Sequence, residues 1–444
     1  MAAAHVGPPV KGRNHTPRPD PPSRGHIGWI VAGSLTAGVL AAVLLAAAPF
    51  IPVTESGVTG AILVGLALGW AMLAVLSGRF TDQPQKWAAV PALFLGLAGC
   101  LLVVFGPPMR EALTWVWPPA VLVLALWMIL QARRRLRSRS GRLLLYPVIA
   151  VLVLASIGGG YEAAGEAADA KAHSMPGRLI DVGGHRLHLD CTGSGSPTVV
   201  LEPGAGGVSS DLERIAPAVA LDTRVCVYDR AGRGWSDPAN TPQDAARIAT
   251  DLHTLLQRGN VPGPYVLAGH SFGGLYALTF AARYPEDVAG LALVDSTAPA
   301  SDPDTEPAHG TGSGSGSQGT TRRVSALAAG VARLGIGQLL GVTPTHLQST
   351  LDEYGQGGAS TQQAAALDDL TDKPLVVLTA GSGSQPGWGA AQDALAALST
   401  NSVHRVIDGA THASFITDQE DAAAAAHGIL DVVSAVRTAS LVIP

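Results

Sequence analysis

The run Tyr265-Val266-Leu267-Ala268-Gly269-His270-Ser271-Phe272-Gly273-Gly274 constrains this chain more than any other feature. Four residues of strand character lead straight into Gly-x-Ser-x-Gly, and an Ala-rich, helix-like stretch follows to about Tyr284. With 53 glycines in the chain the pentapeptide alone arises by chance; a strand before it and a helix after it make it specific. The order predicts a serine on a strained turn, its hydroxyl pushed into the open. At Gly269 and Gly273 a side chain would collide with neighbouring backbone. The helix behind the serine aims N–H groups at any negative charge that develops there.

Composition changes sharply near residue 160 of the 444. Before it lie five apolar stretches, about Ile27–Phe50, Gly57–Ser77, Trp87–Phe105, Trp115–Gln131 and Leu143–Gly159, each close to the ~20 residues that cross a bilayer as helix. The fourth is the shortest and carries Pro118-Pro119, so a re-entrant piece is its alternative. Basic residues set the orientation. Lys11, Arg13, Arg18 and Arg24 precede the first stretch, Arg79 and Lys86 lie between the second and third, and six arginines from Arg133 to Arg142 lie between the fourth and fifth. Keeping these loops in the cytoplasm exports everything after about Gly160. Residues 1–26 read as a disordered cytoplasmic tail, 27–160 as the membrane region, 161–177 as a linker and 178–440 as a second domain. Gly65-x-x-x-Gly69 reads as ordinary close helix packing. The spans hold no Asp, Glu, Lys, Arg or His, which favours an anchor in contact with membrane lipids over a transporter. A net charge of −5 gives no reason to expect a nucleic-acid partner.

From Arg178 the chain alternates strand and helix. Arg178–Val182 and Arg186–Cys191 flank Gly183-Gly184, a hairpin signal. Thr198–Glu202, Thr223–Tyr228, Tyr265–Ala268, Leu291–Val294, Leu375–Thr379 and Val403–Ile407 follow, which makes eight strands with the hairpin and predicts a mostly parallel sheet. In such a sheet reacting groups gather at the carboxyl ends of the strands, where Ser271 lies.

Over about residues 178–435 the chain resembles the α/β-hydrolase superfamily. The resemblance rests on Gly269–Gly273, on the turn Pro203-Gly204-Ala205-Gly206-Gly207, on Tyr228-Asp229-Arg230-Ala231-Gly232-Arg233-Gly234-Trp235-Ser236-Asp237, and on Gly409-Ala410-Thr411-His412. It implies the fold, an α/β domain beside an N-terminal helical membrane bundle, but no substrate. A serine needs a neighbouring base, and histidine is the base that titrates nearest neutral pH. His412 sits in a small-residue loop beyond the last strand and completes the order Ser…Asp…His. The commonest family position for the acid, the loop after the seventh strand, reads Ala380-Gly381-Ser382-Gly383-Ser384-Gln385-Pro386 and holds no carboxylate. Asp295, directly after the sixth strand, is preferred; Asp393, in a helix further on, is the alternative. The oxyanion hole is assigned to the N–H groups of Phe272 and Ala205. Asp229, Arg230 and Asp237 read as charges tying a loop beside the site, with Asp229 next in line for a direct role.

Residues 297–372 read as a small cap, with a flexible run at 309–320 and a helix-like piece around 324–340. In the implied fold the strands holding Cys191 and Cys226 are neighbours, so these two are read as a disulfide, with two buried thiols as the alternative. Cys100 reads as apolar filler in the third span. No metal cluster, Cys-x-x-Cys pair or phosphate loop appears, and no cofactor is expected. The combination implies a membrane-anchored serine hydrolase acting on a small-molecule or lipid-like ester. A peptidase or acyltransferase on the same residues, or a non-catalytic membrane scaffold with a relic hydrolase domain, are the alternatives. The oligomeric state is not legible.

Overall fold

The structure, a computed structural model, describes residues 27–52, 54–172, 175–239, 241, 243–299, 326 and 344–443. The expected tail at 1–26, the flexible run at 309–320 and most of the piece at 324–340 lie outside these residues.

Five helices are long and apolar enough to cross a membrane: α1 (Ile27–Ala47), α2 (Glu55–Phe80), α3 (Ala89–Phe105), α4 (Pro107–Arg135) and α5 (Arg139–Ala172). The fourth span is one continuous helix with Pro118 and Pro119 inside it. Proline leaves a carbonyl one turn back without its donor and strains the helix; here the Ser156 hydroxyl of α5 donates to Pro118 O at 2.6 Å and ties the two helices at that level. Helix α5 runs on past Gly160 to Ala172, so most of the stretch read as a linker is helical. Its Ala-rich sequence supports that continuation.

Gly65 and Gly69 face α1. A Cβ on Gly65 would stand 2.2 Å from Ala42 N, and one on Gly69 would stand 2.7 Å from Gly38 Cα. The small-residue spacing thus packs two helices of this chain against each other. At one end of the bundle the loop after α2 meets the loop after α4. Gln83 Oε1 accepts the N–H groups of Arg137 and Ser138 at 2.9 and 3.3 Å. The two Arg- and Lys-bearing loops therefore share one side.

Beyond α5, eight strands form one sheet: β1 (Arg178–Asp181), β2 (Arg186–Thr192), β3 (Thr198–Glu202), β4 (Val225–Tyr228), β5 (Tyr265–His270), β6 (Val288–Val294), β7 (Leu375–Ala380) and β8 (Ser402–Ile407). Their order is β1-β2-β4-β3-β5-β6-β7-β8. The hairpin strands run antiparallel and β3 to β8 run parallel. Strands β3, β5 and β7 are buried along their whole length, as strands covered on both faces must be. One face is covered by α7 (Ala245–Arg258) and α8 (Phe272–Arg283), the other by α6 (Ala216–Ala220) and α13 (Gln419–Thr438). Cys191 and Cys226 are register partners on β2 and β4 and are joined by a disulfide.

Between β6 and β7 lie α9 (Pro344–Gly355) and α10 (Gly357–Ala364), and between β7 and β8 lies α11 (Trp388–Ala396). A one-turn helix, α12 (Ser414–Thr417), follows β8. Helix α10 is fastened to the start of α7: Ser360 Oγ and Gln363 Oε1 accept the Ala245 and Ala246 N–H groups at 3.1 and 2.8 Å. These are donors that a helix N-terminus leaves free.

Candidate active site

Strand β5 ends in His270, α8 starts at Phe272, and Ser271 alone makes the turn, with φ 57° and ψ −125°. A side chain in that region costs on the order of 1–3 kcal/mol and persists only where the surroundings fix it. Here Ser271 N–H donates to Val294 O at 3.2 Å, and Ser271 O accepts from Gly274 and Thr297. The glycines make the crowding tolerable. A Cβ on Gly269 would lie 2.5 Å from the Gly273 carbonyl carbon, and one on Gly273 would lie 2.2 Å from Glu202 O.

Ser271 Oγ lies 2.9 Å from His412 Nε2, and His412 Nδ1 lies 2.6 Å from Asp295 Oδ2. Asp295 also occupies a positive-φ position, φ 43°, one residue beyond β6. Its other oxygen, Oδ1, accepts Ala380 N–H at 3.0 Å and Trp388 Nε1–H at 2.8 Å. Burial works against ionisation of Asp295, but the hydrogen bonds from His412, Ala380 and Trp388 outweigh it and hold the carboxyl below its ordinary range. The structure thus brings together the three side chains singled out in the sequence. It also accounts for the missing carboxylate after β7: the acid reaches across from the neighbouring strand, and that loop contributes Ala380 N–H instead.

Asp393 is elsewhere. It lies on α11 and pairs with His404 Nδ1 at 2.8 Å, and His404 Nε2 lies 2.7 Å from Thr379 Oγ1. This second hydroxyl–imidazole–carboxylate chain has no access. Thr379 is inside β7 and 4 % exposed, without a turn to expose its oxygen. His185–Asp251, His188–Asp229 and His253–Asp287 are further pairs, at 3.3, 2.9 and 3.1 Å. A carboxylate on one nitrogen is therefore common in this domain; a serine on a strained, open turn at the other distinguishes His412.

His270 is buried behind the base, its Nε2 2.9 Å from His412 O. Burial, with the neighbouring His412, lowers its pKa to about 4, so it is neutral at neutral pH. Phe272 opens α8, so its N–H lacks a helical acceptor. The turn Pro203–Gly207 lies against the serine: a Cβ on Gly204 would stand 3.1 Å from Ser271 Cβ. A cleft of about 400 Å³ lies over Ser271 and His412, bounded by this turn, by His346, Thr350 and Tyr354 of α9, and by Ile416. Among the described residues no three His, Cys, Asp or Glu side chains converge as a metal site.

The Asp229–Asp237 segment is structural. Asp229 accepts Ser209 N–H at 2.7 Å and Trp235 N–H at 3.1 Å and meets His188 Nδ1 at 2.9 Å, away from the cleft. Asp237 pairs with Arg186 at 2.8 Å. Arg230 and Arg233 are buried under the Gly-rich turn and pair with Glu353 of α9 at 2.8 and 3.2 Å. Neither Glu353 nor Trp388 was foreseen from sequence. No spacing rule leads to either, because each acts across a crossover.

Residues 197–353 match the family model described as alpha/beta hydrolase fold. An uncharacterized protein of Schizosaccharomyces pombe is 36 % identical over 155 residues, 28 % of this chain and 29 % of that protein. A probable transporter, efuK, of Hormonema carpetanum is 33 % identical over 133 residues, 28 % of this chain and 19 % of that protein. A putative carbamate hydrolase, RutD, of Azorhizobium caulinodans is 31 % identical over 112 residues, 25 % of this chain and 42 % of that protein. The matched stretch spans less than half of each of these relatives. By its strand order, its strand–serine–helix turn and the family-model match, the C-terminal half of this chain has the α/β-hydrolase fold.

Proposed function

We propose that the chain is a membrane-anchored serine hydrolase that cleaves ester or related acyl bonds through an acyl-enzyme on Ser271. The observation that carries this is the unbroken chain Asp295–His412–Ser271, at 2.6 and 2.9 Å, opening into a cleft. In the proposed cycle His412 Nε2 takes the hydroxyl proton as Ser271 Oγ attacks the acyl carbon. Asp295 holds the Nδ1–H tautomer and balances the imidazolium. Phe272 and Ala205 N–H groups receive the oxyanion. His412 then returns the proton to the leaving alcohol. A water enters, loses its proton to His412 and attacks the acyl carbon; His412 then gives that proton to the departing Ser271 Oγ, which releases the acid and restores the free serine. A peptidase or acyltransferase would use the same groups; the ester preference is drawn from the membrane setting. The relative named a putative carbamate hydrolase is in keeping with hydrolytic chemistry at this site.

The domain division proposed is 27–160 for the membrane region and 178–440 for the hydrolase domain. We place the hydrolase domain on the extracytoplasmic side of a cell membrane. Two observations support this: the loops flanked by Arg79 and Lys86 and by the arginines of 133–142 share one side of the bundle, and the hydrolase domain contains a disulfide, which persists in oxidising surroundings. The decisive experiment is labelling of the full chain, in detergent or nanodiscs, by a fluorophosphonate probe. Wild type should label and Ser271→Ala should not; equal labelling would refute the assignment and favour a relic domain.

A further inference from the structure

The turn Pro203–Gly207 after β3 carries the Ala205 N–H, and it has no strand partner to hold its shape. One backbone bond closes it, Gly207 N–H to Gly204 O at 3.0 Å, and three buried charges hold the rest. Arg230 donates to Pro203 O at 2.8 Å and to Gly204 O at 2.6 Å. Arg233 donates to Gly206 O at 2.9 Å. Gly206 N–H donates to Glu353 Oε2 at 2.8 Å. Glu353 also accepts from Arg230 Nε at 2.8 Å and lies 3.2 Å from Arg233. The side chains of Arg230, Arg233 and Glu353 are 1, 0 and 2 % exposed.

The peptide plane gives this cluster its consequence. Gly204 C=O and Ala205 N–H belong to one trans peptide and point in opposite directions. Arg230, together with Gly207 N–H, draws Gly204 O to one side and therefore turns the Ala205 N–H away from the buried cluster, and Gly204 is packed against Ser271. The next peptide is fixed from the other end by Glu353 on Gly206 N–H. Both peptides that flank Ala205 are thus set by one cluster, and its anion comes from α9, outside the sheet. Arg233 also donates to Thr350 Oγ1 at 2.7 Å, and Ser349 Oγ donates to Gly232 O at 2.9 Å, so α9 is seated on both loops. Two buried guanidiniums without their anion would repel each other and lose the compensation for their desolvation.

We infer that Glu353 is a positioning residue that assembles the oxyanion turn, so that docking of α9 and formation of the Ala205 donor are one event. This rests on the hydrolase reading of Ser271, but its structural half is separately testable. A cap helix that leaves the turn takes the counterion with it, and the hydroxyl chain at Ser271 remains intact while the acceptor site for the oxyanion is lost. Cap position is then read out in the acylation rate rather than in substrate affinity alone.

The test uses the full chain in nanodiscs, as wild type, Glu353→Asp and Glu353→Gln. Backbone hydrogen exchange is followed for the turn 203–207 and for the 269–274 segment. In parallel, kcat and KM are measured on a p-nitrophenyl ester. Removing the charge should speed exchange of the turn at least ~10-fold while the 269–274 segment is unchanged. It should lower kcat by ~10²-fold, the scale of one lost oxyanion donor, with KM within about threefold. Glu353→Asp keeps the charge but shortens the reach, and should fall between. Unchanged exchange at the turn in Glu353→Gln would overturn the inference. So would a fall confined to KM. If Glu353→Gln unfolds, with exchange rising throughout the sheet, Glu353→Asp decides: selective exchange at the turn supports the inference and none refutes it. Failure of the hydrolase reading looks different, because wild type itself would not turn over ester or label at Ser271.

Discussion

Replacing Asp295 by asparagine should leave the fold and reverse the chemistry. The carboxylate has divided duties. Oδ1 accepts two donors, Ala380 N–H at 3.0 Å and Trp388 Nε1–H at 2.8 Å, and Oδ2 faces His412 Nδ1 at 2.6 Å. An asparagine has one acceptor oxygen. The two fixed donors claim it, so the NH₂ group is turned toward His412. There it donates to Nδ1, which forces the imidazole proton onto Nε2. Nε2 then meets Ser271 Oγ at 2.9 Å as a donor and cannot take the hydroxyl proton. Loss of the correct tautomer in this type of triad costs ~10⁴-fold in kcat, which corresponds to about 5.5 kcal/mol of barrier. Asp393→Asn should change kcat by less than about twofold, because it touches only His404 on the exposed side of α11. The assay is ester hydrolysis with active-site titration by a fluorophosphonate, so that kcat refers to folded sites. Retention of more than about a tenth of wild-type kcat in Asp295→Asn would refute the tautomer reasoning. Equal losses in both variants would show that neither carboxylate acts through His412.

Gly273→Ala should abolish probe labelling, because its Cβ would fall 2.2 Å from the Glu202 carbonyl oxygen in rigid backbone; labelling within threefold of wild type would contradict the crowding. His270 has a pKa of about 4 in the folded domain against an ordinary 6.5, so the folded state binds fewer protons. Its contribution is therefore complete above pH 6.5 and declines as the pH falls toward 4, by about 3 kcal/mol in all; the melting temperature of His270→Gln should fall less over that window than wild type, and parallel curves would refute the assignment. A reporter fused after Pro444 should be active as alkaline phosphatase and dark as a cytoplasm-dependent fluorescent protein. The opposite pattern would place the hydrolase domain in the cytoplasm and contradict the exported orientation.

The frame of this protein was legible because its signals are local. Most strands are short apolar runs closed by a glycine, proline or aspartate, and at the serine turn the helix from Phe272 follows the strand ending at His270 almost at once. Periodicity and turn chemistry report such order directly. Helix lengths were less so. Nothing in the window around Gly160 distinguishes a helix that ends at the bilayer surface from one that continues to Ala172, since the same Ala-rich residues suit both. The two serine-site partners named from sequence lie at strand ends, where topology restricts the choice to a few loops. Asp295 could be preferred over Asp393 because a residue directly after a parallel strand faces the site, whereas a residue on the crossover helix has to lean inward.

What stayed hidden are groups whose roles depend on contacts made across the fold. Trp388 reads as an ordinary aromatic at the start of a helix, yet its indole N–H supplies one of the two donors that fix the orientation of Asp295, 93 residues away. Glu353 follows Asp352 in a polar helix, and its partner Arg230 is 123 residues back. A buried carboxylate looks the same in sequence as a solvated one; only the packing tells that two guanidiniums surround it. Burial would raise its pKa, and Arg230 and Arg233 override that and keep it below its ordinary range. Glu202, equally buried beside Tyr228 but 3.9 Å from Arg230, is pushed up to about 7 instead. Two glutamates of the same cluster thus hold their protons differently: Glu353 lies 2.8 Å from Arg230 and Glu202 3.9 Å. The glutamate held below its ordinary range comes from α9, and it is the one that touches the turn beside Ser271.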